Sequence, residues 1–369
     1  VPQTLTYLNL GLPNAMTFLL PYNKSKNEHQ RALDIQNKIF SFTSLTAFIT
    51  LTGIILFVVI LRPHGLKTYL LYTAIFAFLG QYVKYFIAYF AATSAFLKLG
   101  MMELVYTSIL LATSVLLIRP LKVHGFWLSM IISIAVVAAY YFYDYTRNEK
   151  ISLTKFSYAE ILSLSSTGLT MSLTSVIYIP FVNLAKIFIT FASGVKDVGY
   201  FVLAMSIISL MAIIPKTISI VFMPHMSSMR GGGNAHEIYP VFVKIQLYTL
   251  LLTSLAAALG YFLIEPLVSI YLSQYTSGIS AAKIMLFAGI PYSLIDNANN
   301  MLVASHNKKI LIRIFTAAIL LNAIIYVSML FYKINISLIS ASFIAVFSSY
   351  ALLLHLYIIK NFRRNRQKI

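Results

Sequence analysis

The chain has 369 residues, 59% of them hydrophobic and 10% charged, with a net charge of +18 and no cysteine, and its mean hydropathy is +0.81. Charge at well under the quarter typical of soluble domains excludes a soluble globular protein, and the lack of cysteine excludes disulfides, thiolate metal sites and cysteine nucleophiles. The basic residues are scattered among apolar segments rather than gathered in a patch, which argues against nucleic acid as a partner and for a polytopic membrane protein with asymmetric loops or an anionic substrate.

A bilayer core takes about 20 apolar residues as a helix. Eleven stretches meet that length: residues 3–22, 39–62, 68–91, 101–119, 125–143, 161–191, 199–224, 240–264, 280–304, 309–331 and 336–360. The runs are long and do not alternate, so barrel strands are not expected. The chain opens on Val1 and is apolar within a few residues, without the basic region of a signal peptide.

If the tail KNFRRNRQKI is cytoplasmic, so are NKSKNEHQRALDIQNK, YTRNEKISLTK, SHNKK and two shorter links carrying Lys98 and Arg230. That side then carries 16 Lys and Arg against six opposite, namely Arg62, Lys67, Arg119, Lys122, Lys196 and Lys333. Val1 falls on the outer side, and one further apolar helix ahead of it would return the N-terminus to the cytoplasm.

The first and seventh spans end alike, in NAMTFLLPYNKSKN and TISIVFMPHMSSMR, each with a proline (Pro21, Pro224) before a polar stretch. Spans starting near 39, 68, 101 and 125 then match those near 240, 280, 309 and 336 at an offset of roughly 200 to 212 residues. Only the span at 161–191 has no counterpart, and its partner would be the helix expected before Val1. The expected fold is an all-α polytopic membrane protein of two six-helix parallel-repeat lobes around a central cavity, five plus six helices lying within this chain. The lobes are residues 1–143 and 161–369, joined by a charged linker at 144–160. Such an architecture suits an alternating-access transporter.

Ionisable groups at membrane depth are costly and point to function. Lys244, Lys283 and Arg313 lie near span ends and can snorkel to headgroups. Lys84 shares a helical face with Gln81, and Lys186 with Asn183 and Thr190. Lys216 sits on a stripe with Ser209, near Ser206 and Ser219 in projection. Each of these three lysines either faces a cavity or snorkels, and for Lys216 the polar stripe favours the cavity. Pro215 cannot donate to the preceding turn, so a kink or opening is expected beside Lys216. In PYSLIDNANNML, Ser293, Asp296 and Asn300 share a face. Asp296 is a candidate counter-ion, coupling site or sugar acceptor, or else a structural interhelical hydrogen bond. RGGGN at 230–234 reads as a flexible link, not a phosphate loop, and the seven histidines show no metal-ligand spacing. No metal or cofactor is expected.

The run from Leu184 through FITFASGVKDVGYFVLAMSIISLMAIIPKTISIVFMPHMSSM resembles the polysaccharide and O-antigen flippases (Wzx type) of the multidrug/oligosaccharidyl-lipid/polysaccharide exporter superfamily. The matching residues are Val198, Gly199, Tyr200, Pro224 and Ser227, and LGLPNAMTFLLPY at 10–22 resembles that family's second helix. Where the family often has an acidic-basic pair, this chain has Ala185 and Lys186. The resemblance implies a non-enzymatic flippase in the bacterial inner membrane, with its C-terminus cytoplasmic. Its cargo would be a polyprenyl-pyrophosphate-linked oligosaccharide carried to the outer leaflet. Implied partners are that lipid-linked oligosaccharide, membrane lipids, a polysaccharide polymerase and a chain-length regulator. Lys216, Lys84, Lys186, Gln81, Ser209 and Asn300 would line the cationic and polar cavity. A drug or cation exporter of the same superfamily would favour embedded acids over lysines. A membrane glycosyltransferase or polymerase would normally bring an acidic motif or a large outer loop.

Overall fold

The computed structural model describes residues 9–61, 65–148, 152–175, 178–304, 308–329 and 335–366. Their α-helices are α1 (Leu12–Ser25), α2 (His29–Leu61), α3 (Lys67–Ala92), α4 (Phe96–Leu121), α5 (Val123–Asn148), α6 (Tyr158–Ser175), α7 (Tyr178–Ser193), α8 (Val195–Met211), α9 (Ile213–Gly231), α10 (Ile238–Tyr271), α11 (Ile279–Ala304), α12 (Lys308–Met329) and α13 (Ile336–Arg366). Short 3-10 turns occupy Ala235–Glu237 and Ser273–Gly278. Among the described residues there is no strand, and nine helical stretches are long and apolar enough to cross a bilayer. The protein is an all-helical, multi-pass membrane protein. Residues 3–8 of the first expected span and 330–331 of the tenth lie outside the described residues, as do Arg62, Lys333 and the last three residues of the tail.

The stretch 161–191 is described as α6 and α7, and residues 176–177 between them lie outside the described residues. The stretch 199–224 breaks at Ala212 between α8 and α9. Pro215 cannot bond the Met211 carbonyl, while the amides on either side still bond: Ala212 to Ile208 at 3.0 Å and Lys216 to Ala212 at 3.2 Å. The helix is interrupted at Ala212, one turn before Lys216, and the bonds on either side of Met211 are kept. Conversely, Pro21 and Pro224 do not close their helices, which run on to Ser25 and Gly231. A proline removes one upstream bond and leaves the downstream turns free to continue.

The chain divides into two compact units, Val1–Ser172 with Ser227–Gly233, and Leu173–Met226 with Asn234–Ile369. In the first unit α3 packs against α1, α2 and α5, and α4 lies against α5. The core is aromatic: Tyr85, Phe86, Tyr89 and Phe90 of α3 meet Phe40 of α2 and Tyr141 and Tyr145 of α5. Tyr145 is fully buried, its ring edge-on to Tyr89 at 4.8 Å, and its hydroxyl accepts from Gln36 Nε2 and bonds the Tyr85 hydroxyl, both at 2.9 Å. Both α1 and α3 end in a left-handed residue, Asn27 and Ser94. The next amide bonds back five residues, Glu28 to Asn23 and Ala95 to Phe90, which satisfies the last carbonyls and lets the next helix start after three residues.

Close backbone approach needs glycine at Gly125 and Gly168, among other places in this unit. Gly125 of α5 lies against the Leu117 carbonyl of α4, and Gly168 of α6 lies against the Gly11 carbonyl. The segment 152–157 is docked on α2. Thr154 N–H donates to Ser41 Oγ at 2.9 Å, Phe156 packs edge-on to Phe42, and Glu160 reaches Lys38 at 2.7 Å. Ser157 and Glu160 form a reciprocal capping box at the start of α6. Residues 144–148, assigned from the sequence to the linker, continue α5 because Tyr141 and Tyr145 extend its buried stripe. Lys98 holds Asp144 at 2.7 Å on the adjoining turn.

In the second unit α11 is central, packed against α8, α10, α12 and α13. Ala281, Ala282, Ala288 and Ala298 line its buried face, and Gly289 admits Met211 of α8. Small residues let helix axes approach where lipid offers no hydrophobic drive to associate.

Candidate functional site

The second unit holds a buried polar network that begins at the α8/α9 break. Past Pro215, Lys216 and Ser219 stand three residues apart on one face of α9. Ser219 Oγ lies 2.7 Å from Asp296 Oδ2 and 3.1 Å from Asn297 Oδ1, both on α11. Lys216 is close enough for its charge to act on Asp296. Asn297 is fully buried, and its Nδ2 donates to Thr249 Oγ1 at 2.9 Å and to Gln246 Oε1 at 3.4 Å on α10.

Gln246 Nε2 in turn donates to the Leu294 carbonyl at 2.9 Å and lies 2.8 Å from Nε2 of His355 on α13. His355 Nδ1 is 2.7 Å from the Ala351 carbonyl. Four helices thus contribute to one chain of polar contacts in an apolar bundle, where an unpaired buried polar group costs about 1–3 kcal/mol. A second layer lies along α11: Ser293 with Thr253 at 3.1 Å, and Asn299 Oδ1 accepting from Tyr350 at 3.3 Å.

The sequence-derived candidates separate by unit. Gln81 and Lys84 belong to the first. Gln81 is fully buried and bridges α3 to α2, accepting from Thr46 Oγ1 at 2.7 Å and donating to Thr50 Oγ1 at 3.0 Å, while Lys84, one turn on, is half-buried. Lys186, Ser209, Lys216, Asp296 and Asn300 belong to the second. Lys186 is half-buried on α7 and its carbonyl accepts from Thr190. Ser209 and Ser206 are exposed, and their hydroxyls bond back to Met205 and Val202 of their own helix. Of the serines near Lys216 in projection, it is Ser219 that turns to Asp296. Asn300 is buried one turn beyond Asp296. Lys244 lies over Tyr248, and Lys283 pairs with Glu265 at 2.5 Å.

Sequence reading missed Asn297, Gln246, Thr249 and His355. Gln246, Thr249 and Thr253 recur at three- and four-residue spacing on an otherwise apolar helix, a stripe that was there to be found. His355 stands alone in LLLHLY, and nothing local marks it.

No protein-family model and no curated protein matches the sequence. Among solved structures, the chain is similar to the Vibrio cholerae MATE transporter VcmN in the bent form, with a TM-score of 0.73, 14% identity, and coverage of 98% of this chain and 86% of that one. It is similar to a MATE transporter in complex with MaL6, with a TM-score of 0.83, 13% identity, and coverage of 98% and 86%. A third similar structure is the outward-facing conformation of a multidrug resistance MATE family transporter of the MOP superfamily, with a TM-score of 0.79, 14% identity, and coverage of 100% and 87%. At these identities the likeness establishes the fold, which is that of the MATE transporters.

Proposed function

We propose that this protein is a transporter that moves an anionic lipid-linked oligosaccharide from the cytoplasmic to the outer leaflet of a bacterial inner membrane by alternating access, with its C-terminus in the cytoplasm. The observation that carries the reading is the sign of the embedded charge. Lys84 and Lys186 are half-buried within apolar helices, and Lys216 is near enough for its charge to act on Asp296. A pyrophosphate headgroup cannot cross hydrocarbon bare, and lysines replace part of its hydration with charge-assisted hydrogen bonds. The lipid tail stays in the bilayer. The cargo would be handed on to a polysaccharide polymerase and its chain-length regulator.

A second reading, export of a cationic drug, rests on the MATE fold and on the polar surroundings of Asp296. The experiment that separates the two is complementation of a flippase-null bacterium, with a count of lipid-linked repeat units left in the inner leaflet. Restored surface polysaccharide supports the flippase. Unchanged accumulation, together with newly gained resistance to cationic dyes, supports the exporter.

A further inference from the structure

We propose that His355 is a second proton-binding site of the Asp296 network, and that the two residues exchange protonation states through reversible flips of the Asn297 and Gln246 side-chain amides. The inference takes up the coupling role, one of the alternatives the sequence leaves open for Asp296, and goes beyond the proposed transport reading.

Hydrogen counting carries the argument. Ser219 has a single hydroxyl hydrogen but two oxygen neighbours, Asp296 Oδ2 and Asn297 Oδ1. If Asp296 is ionised, it takes that hydrogen, and the Asn297 oxygen then faces the Ser219 oxygen with nothing between them. If Asp296 is protonated, every contact has one donor and one acceptor. The carboxyl donates to Ser219, Ser219 to Asn297 Oδ1, and Asn297 Nδ2 to Thr249 and Gln246 Oε1. Gln246 Nε2 spends its two hydrogens on the Leu294 carbonyl and His355 Nε2. His355 is then neutral, with its hydrogen on Nδ1 and directed at Ala351. This arrangement is the state with an acidic proton at Asp296.

The opposite state needs no backbone movement. With Asp296 ionised, Ser219 donates to it, and a flipped Asn297 donates Nδ2 to Ser219 and turns Oδ1 toward Gln246. A flipped Gln246 donates to Asn297 and offers Oε1 to a protonated His355 Nε2. One proton has left Asp296 and one has been taken up at His355. The amide hydrogens between them have only rotated with their groups. The cost is the Gln246 bond to the Leu294 carbonyl and a turn of the Thr249 hydroxyl, whose one hydrogen leaves the Ile245 carbonyl for the flipped Asn297 oxygen. Lys216 stabilises the ionised Asp296 in the reversed state.

The Asn297–Gln246 chain is a continuous hydrogen-bonded connection between the two titrating groups. From α10, Phe242 packs on the His355 ring at 5.9 Å and Gln246 bonds it, while Lys244 is exposed over Tyr248. From α11 come the Leu294 carbonyl, through Gln246, and Asp296, through Asn297. Tyr350, on the histidine's own helix, bonds Asn299 and packs against Phe315 of α12. From α9, Ser219 connects to it through Asn297, and Lys216 acts on Asp296.

The test is a ring-nitrogen NMR titration of histidine-labelled protein in nanodiscs, with no cargo present and His355 assigned by signal loss in His355→Asn. Asp296→Asn removes the ionised state and should lower the His355 midpoint by about one pH unit or more, the threshold for coupled titration. In a Gln246→Met or Asn297→Leu background the same substitution should leave the midpoint in place, because the chain is cut. An identical midpoint in wild type and Asp296→Asn overturns the proposal. So does a displacement that survives both chain-cutting variants, since that would be charge acting through space. Because no substrate is involved, failure here is distinct from failure of the flippase reading.

Discussion

Lys216 lies near enough for its charge to act on the Asp296 carboxyl, and the two should respond differently to substitution. Removing Lys216 takes away an anchor for an anionic headgroup, while Ser219→Ala removes the hydroxyl that Asp296 bonds. Lys216→Ala should abolish export of the proposed cargo while insertion and abundance, read by quantitative membrane blotting, stay normal. Lys216→Arg, keeping the charge, should retain a fraction of it. Normal export by the alanine variant removes Lys216 from the mechanism. In the first unit Tyr145→Phe tests a structural role: Gln36 and Tyr85 lose a buried partner, for an expected loss of about 1–3 kcal/mol. A lowered unfolding temperature in detergent is the readout.

At the scale of helices, turns and caps the structure follows simple rules. Gly125→Ala places a methyl on the Leu117 carbonyl, so α4 and α5 must separate, at a cost of about 1–3 kcal/mol. Thermal unfolding of the purified variant should show the loss. At the start of α6, Glu160 is held down to about 2 by its hydrogen bond to Lys38 and then by the Ser157 backbone N–H. Its folded value lies below its ordinary 4.5, so the capping contact is fully present above about 4.5 and is lost as the pH falls toward about 2. Hydrogen exchange of residues 152–160 should speed up across that window after correction for intrinsic rates, and Glu160→Gln should be insensitive to it.

The helices were legible because a bilayer demands some 20 apolar residues in a row, and each expected span overlaps a helix. Their ends were less so. Tyr145 carries α5 past the apolar run, and the seventh span is interrupted at Ala212 ahead of Pro215, a place marked by the proline's missing N–H. Asp296 and Lys216 stood out by charge alone. Their partners did not, because Gln246 and His355 are 109 residues apart and a polar residue on an apolar helix does not reveal which neighbour it meets. Packing, not pattern, decides that meeting.

Taken as a whole molecule, the protein combines the MATE transporter fold with an excess of positive charge at depth, and the claim at stake is that its cargo is anionic and lipid-linked. The direct measurement is flipping in proteoliposomes containing purified protein, with a fluorescent polyprenyl-pyrophosphate oligosaccharide scored by protection from a membrane-impermeant quencher, and a cationic dye assayed in parallel. The account predicts that wild-type protein moves the labelled lipid well above protein-free vesicles, that Lys216→Ala loses at least about tenfold of that rate, equivalent to about 1.4 kcal/mol, and that the dye is not carried. Dye movement with no flipping of the lipid-linked oligosaccharide would contradict it.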